Sequence, residues 1–158
     1  VDEMIKFVVG YLFSEQFDRV LLIRKNRPDW QKGYLNGIGG HVEKGEFFED
    51  TMTREFKEEC GLSIKNWMHV CTMEIEQNYA RCDFFTQQVE NSIFYAHKKT
   101  TDEELVAINP KHLNHYKIIP NLRWLIPFSE GILQKNYDPI KVNSAFKGGF
   151  VNGNNVKG

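Results

Sequence analysis

Cysteine is scarce in this chain of 158 residues: Cys60, Cys71 and Cys82 are the only three. An odd number without CxxC spacing argues against a disulfide framework or a cysteine zinc site, and favours a reducing, cytoplasmic setting. The histidines, His41, His69, His97, His112 and His115, show no HxxxH or HExxH pairing, so the usual helical zinc signature is missing. No apolar run reaches the roughly 18 residues that a membrane span needs. The opening VDEMIK lacks the basic-then-apolar order of a secretory leader. A charge excess is missing too. The 20 basic and 21 acidic side chains leave a formal −1, which argues against a dedicated nucleic-acid binder. With no repeat, low-complexity tract or linker, a single domain is expected over 1–142. The Gly-, Asn- and Lys-rich segment 143–158 is expected to be a mobile tail.

What is present reads as alternating strands and helices. Ile5 to Phe13 and Arg19 to Arg24 are β-branched or aromatic runs, expected to form a strand hairpin. Lys25 to Tyr34 is a polar loop, and Leu35 to Val42 is dense in glycine. Trp67 to Gln77 reads as a strand, Asn78 to Asp83 as a hairpin-like loop, and Phe84 to Ala96 as a further strand, clearest over 91–96. Leu105 to Ile108 is a strand stub. Leu122, Leu125, Ile126 and Ile132 suit a second helix between Asn121 and Gln134, interrupted by Pro127 and Gly131. This order predicts an α+β fold, an α/β/α sandwich with a mixed sheet between helices.

The densest signal lies between Gly40 and Leu62. Phe48, Met52, Phe56 and Cys60 recur every four residues, as on the buried stripe of a helix. Glu49 and Asp50 suit its first turn, and Gly61 suits the left-handed position that ends it. Beside the stripe stand Glu55, Glu58 and Glu59, neighbours at i, i+3 and i+4. Clustered carboxylates repel one another unless a cation sits among them, and hard oxygen ligands suit magnesium or manganese. Arg54 can pair with Glu58 or with Glu46. Seven specified positions coincide: Gly40, Glu46, Arg54, Glu55, Glu58, Glu59 and Gly61. At ordinary residue usage, chance agreement from a given start is on the order of one in 10⁸.

On these residues the chain resembles the Nudix hydrolase family, whose box reads G-x5-E-x7-R-E-U-x-E-E-x-G-U, with U a bulky apolar residue. Phe56 is larger than the usual aliphatic. The resemblance implies a helix–sheet–helix sandwich and Mg²⁺-dependent hydrolysis of a nucleoside diphosphate-linked compound, with Mn²⁺ able to substitute. It implies Glu55, Glu58 and Glu59 as metal ligands, with the Gly39 or Gly40 carbonyl close by, and Arg54 and Glu46 orienting them. The general base is left open among Glu55, Glu58 and the loop acids Asp102, Glu103 and Glu104. Lys25, with Arg24 and Arg27 as alternatives, would meet phosphate. His41 stands where many relatives carry lysine. The resemblance also admits a homodimer.

The segment Leu35-Asn36-Gly37-Ile38-Gly39-Gly40 is similar to the Trp-Asn-Gly-Phe-Gly-Gly segment of 8-oxo-purine nucleoside triphosphatases related to MutT. There the asparagine reads the purine edge, a role that would fall to Asn36 unless it simply stabilises the glycine turn. Trp30 either stacks on a base or anchors its loop. Asn121 follows Pro120 where those relatives carry an acid, and Leu35 replaces their tryptophan. Tyr79, 17 residues past Leu62, echoes the dinucleoside polyphosphate hydrolases. Nucleoside triphosphates, modified ones included, are therefore expected first. Dinucleoside polyphosphates, ADP-ribose and other sugar nucleotides come second. A non-catalytic nucleotide-binding module and an RNA-decapping enzyme are the readings from other classes.

Overall fold

The computed structural model describes residues 3–76 and 79–144. Strands β1 (Ile5–Phe13) and β2 (Val20–Arg24) lead into a single 3-10 turn at Asp29–Gln31. Two short strands follow, β3 (Leu35–Asn36) and β4 (Ile38–His41), then helix α1 (Phe48–Cys60). Strands β5 (Met68–Ile75) and β6 (Ala80–Gln88) precede the one-turn helix α2 (Asn91–Phe94). Strand β7 (Glu104–Ile108), helix α3 (Leu122–Leu133) and strand β8 (Ile140–Ser144) complete the fold.

All eight strands join one mixed sheet with the central order β3-β2-β1-β6-β5-β8. The β1–β6 and β5–β8 pairs are parallel and the others antiparallel. β1 pairs along its whole length with β6 and divides its other partners between β4 at Phe7–Gly10 and β2 at Leu12–Phe13. Side chains of a strand alternate between faces, and β1 shows what that alternation builds. Val8 and Leu12 join a core with Met52, Phe56 and Cys60 of α1. Tyr11 and Phe13 join a second core with Leu122, Leu125 and Ile126 of α3. The sheet is thus covered on both faces, and the expected α/β/α sandwich is the one observed. No helix among the described residues is long and apolar enough to cross a membrane.

Two local expectations are corrected, and one strand is added. The residues 91–96 form no strand. β6 begins at Ala80, inside the expected loop, and ends at Gln88, where its partner β1 also ends at Phe13. Beyond that point a strand has nothing to pair with, and Asn91 instead exchanges hydrogen bonds with Glu15. Pro127 and Gly131 do not interrupt α3, because Arg123 and Pro127 both face solvent, where water can serve the carbonyl that Pro127 leaves unbonded. β8 was not foreseen, and it reaches Ser144, two residues into the expected tail; the rest of that tail lies outside the described residues.

Candidate functional site

Helix α1 ends as its sequence requires. Gly61 adopts φ 77°, a left-handed conformation that suits glycine, and its N–H returns to the Lys57 carbonyl. Met52, Phe56 and Cys60 are fully buried, which fixes the rotation of the helix and therefore the direction of its acids. Ahead of the helix, Glu46 is held by four donors. Its Oε1 accepts from the Glu43 N–H, the Thr51 hydroxyl and Arg54 Nη2, and its Oε2 accepts from Arg54 Nε at 2.8 Å. The Arg54 hydrogen bond, first among these, pulls the Glu46 carboxyl down to about 2. Arg54 Nη1 meets Glu55 Oε1 at 3.0 Å and Glu58 Oε2 at 3.3 Å, and Nη2 donates to the His41 carbonyl. One guanidinium therefore ties the link, the helix and β4 together.

The three box acids are neighbours without forming a finished cage. Among the described residues, no three acidic, histidine or cysteine side chains are gathered tightly enough to hold an ion. Glu55 and Glu58 share Arg54, whereas Glu59 lies in the field of Lys25, with Glu103 and Glu58 opposing it. Burial raises the carboxyl pKa of both Glu55 and Glu59, and Glu59 Oε2 is buried with no hydrogen-bond partner.

The acidic run after Thr101 divides by direction. Glu103 is buried, accepts the Asn26 N–H at 2.6 Å and pairs with Lys25 at 3.3 Å. Asp102 pairs with Arg27 on the surface, and Glu104 pairs with Arg24, also exposed. Glu104 thus turns away from the box while Glu103 turns toward it, as alternation at the start of β7 requires.

On the other face of β4 lies a cavity of about 460 Å³. Lys25, Trp30, Asn36, His41 and Asn121 all line it, together with Gly39 and Gly40. Its apolar floor includes Phe84, Cys82 and Ile119. The strand β4 is the wall shared with the acids. A Cβ at Gly40 would overlap the Glu55 carboxylate, and one at Gly39 would overlap the Val8 carbonyl of β1. Glycine is needed at both places for these close approaches. Tyr79 is exposed and takes no part in the cavity. Gln31, which also lines it, was not singled out in the sequence. The one signal available was its place five residues before Asn36, in a loop whose shape the sequence left open.

An acid-bearing helix packed against a glycine-rich strand, with a nucleoside-sized cavity beyond, defines the class: a Nudix hydrolase fold with its box complete. The NUDIX domain model matches residues 4–136, so the chain belongs to that family. Among solved structures, a MutT chain from a study of Aliivibrio salmonicida and Vibrio cholerae is similar with a TM-score of 0.66. The two are 21% identical over 79% of this chain and 98% of that one. The NUDIX domain of Shewanella oneidensis NrtR, complexed with ADP ribose, reaches 0.71 at 15% identity over 84% and 90%. An ADP-ribose pyrophosphatase from Streptococcus suis reaches 0.66 at 15% identity over 87% and 98%. At such identities the likeness is one of fold.

Proposed function

We propose that this protein hydrolyses a nucleoside triphosphate or modified nucleoside triphosphate by attack of water on phosphorus, with Mg²⁺ as its cofactor and Mn²⁺ able to substitute. One observation carries the reading: the complete box helix meets, across Gly39 and Gly40, a cavity lined by all five side chains expected to touch a nucleotide.

In their chemistry, though not in their spacing here, the residues fit a divalent cation. The donors are hard carboxylate oxygens, two of the acids are held in a setting that disfavours their charge, and Glu59 Oε2 has no other partner. Glu55, Glu58 and Glu59 would hold the ion with the Gly39 carbonyl. When bound, Mg²⁺ supplies charge neutralisation for the phosphates and a coordinated water of lowered pKa. Arg54 orients Glu55 and Glu58 through Nη1. Lys25 and His41, at the cavity wall, meet the phosphate oxygens. Of the loop acids, Glu103, which pairs with Lys25, is our choice to accept a proton from the attacking water, and not Glu104, which pairs with Arg24. Trp30 and Asn121 address the base.

A second reading, a nucleoside diphosphate linked to a sugar such as ADP-ribose, is favoured by the two structural neighbours whose names carry ADP-ribose. The test is a panel of nucleoside triphosphates, 8-oxo-dGTP, diadenosine polyphosphates and ADP-ribose, with Mg²⁺ and product identification. Turnover of triphosphates that is lost in Glu58→Gln supports the proposal. Turnover of ADP-ribose alone moves it to the second reading, and metal-independent binding without turnover overturns both.

A further inference from the structure

Asn36 does not meet the cavity with a free carboxamide. Its Oδ1 accepts the Gly37 N–H at 2.7 Å, and its Nδ2 donates to Gln31 Oε1 at 3.0 Å. A backbone N–H can only donate, so the first bond decides which end of the Asn36 amide is oxygen. The second bond then decides Gln31: its oxygen faces Asn36, which leaves its NH₂ to the cavity that Gln31 lines. The orientation of a side chain on the 3-10 turn is thus set by the backbone of a residue six positions later.

The same cavity holds the opposite polarity elsewhere. Asn121 is 5% exposed, and its Oδ1 has no hydrogen-bond partner. A buried acceptor without a donor is costly, so this oxygen favours a ligand that brings an N–H. Two amide ends remain for a ligand: a donor at Gln31 and an acceptor at Asn121.

We infer that Gln31 determines specificity in this cavity, donating through Nε2 to an acceptor on a purine edge while Asn121 accepts from the neighbouring ring N–H. A 6-keto purine presents that pair as O6 and N1–H. A 6-amino purine presents the reverse, an exocyclic amine beside a bare ring nitrogen. The cavity therefore selects 6-keto purine nucleotides, because the amino edge sets donor against donor and leaves Asn121 Oδ1 unpaired. This rests on the nucleotide reading of the site.

The test compares ITP with ATP, differing at this edge, on the wild type, Gln31→Glu and Gln31→Met with Mg²⁺. The wild type is expected to show a KM at least about tenfold lower for ITP. In Gln31→Glu the carboxylate still accepts from Asn36 but has nothing to donate, so the ITP:ATP preference shifts toward ATP by about tenfold or more. Gln31→Met reduces the preference without reversing it, and carries the test alone if the charged variant does not fold. The change is expected in KM rather than kcat. An ITP:ATP ratio within about twofold of wild type in a folded variant overturns the assignment to Gln31 and leaves the hydrolase reading intact. Failure of the wild type to hydrolyse ITP while it turns over another compound of the panel overturns the 6-keto selection and leaves the hydrolase reading intact; failure on the whole panel overturns both.

Discussion

Arg54 grips Glu46 side-on, with Nε to Oε2 at 2.8 Å and Nη2 to Oε1 at 2.9 Å, so the link before α1 is bolted to the middle of that helix. Such a pair fixes both distance and angle, which a single bond does not. Its acid sensitivity follows from the Glu46 carboxyl, held at about 2 against an ordinary 4.5. A folded-state pKa below the unfolded one contributes stability above the unfolded value, and that contribution is lost as pH falls through the folded one. Glu46→Gln should be less stable than wild type by on the order of 1–2 kcal/mol at neutral pH. The difference should shrink between about pH 4.5 and pH 2, as read by urea unfolding across that range. A gap that stays constant with pH would count against the pair.

Glu58 is 57% exposed, and its removal leaves no buried group unpaired. Glu58→Gln should therefore fold with a stability within about 0.5 kcal/mol of wild type. Its turnover should fall by about 10³-fold, the loss typical of removing one transition-state stabiliser. Steady-state rates with Mg²⁺, alongside thermal melts, separate the two effects.

Glu59 should behave differently. Burial lifts its carboxyl pKa, so in chelator-treated protein its ionisation opposes folding as pH rises above the ordinary carboxylate value. Relative to wild type, Glu59→Gln should gain stability as pH rises from about 4.5 to 7, while losing activity. Activity lost without that pH-dependent gain would mean that the Glu59 charge is satisfied in the folded protein.

Gly39 and Gly40 should fail in different ways. An added methyl at Gly40 meets the Glu55 side chain, which can move aside, so Gly40→Ala should fold but lose metal affinity and turnover. At Gly39 it meets the Val8 backbone, so Gly39→Ala breaks the β1–β4 register and should lower the melting temperature. Melting curves together with Mn²⁺ titration distinguish the two.

Glu103 joins the start of β7 to the loop after β2 through the Asn26 N–H and Lys25. Glu103→Ala should cost about 1–2 kcal/mol. Glu103→Gln, which keeps an acceptor for Asn26, should cost less and still lose turnover if Glu103 accepts the proton. Equal urea midpoints for the two variants would assign no stability to the Asn26 bond.

Much of the architecture could be read along the chain. The four-residue apolar repeat of α1, its acids and its glycine stop are local features, and a helix makes its hydrogen bonds within itself. The same holds for the β-branched runs of β1 and β2. The limits of β6 and the existence of β8 could not be read. A strand is stabilised by a partner far away in sequence, and a half-polar segment such as Ile140–Ser144 has no preference strong enough to declare itself. The strand expected at 91–96 failed for the same reason, since β1 had no residues left to pair with it.

The sequence by itself determined the helix that carries Glu55, Glu58 and Glu59, the family it belongs to, and the residue types suited to a nucleotide. Only the tertiary structure decided that Glu103 faces inward and Glu104 outward, that Lys25, Trp30, Asn36, His41 and Asn121 share one cavity, and that Gln31 orients its amide through Asn36. Helix periodicity is a property of neighbours along the chain. A cavity wall is assembled from segments brought together by strand pairing and core packing, so its members carry no mark of one another until the chain has folded.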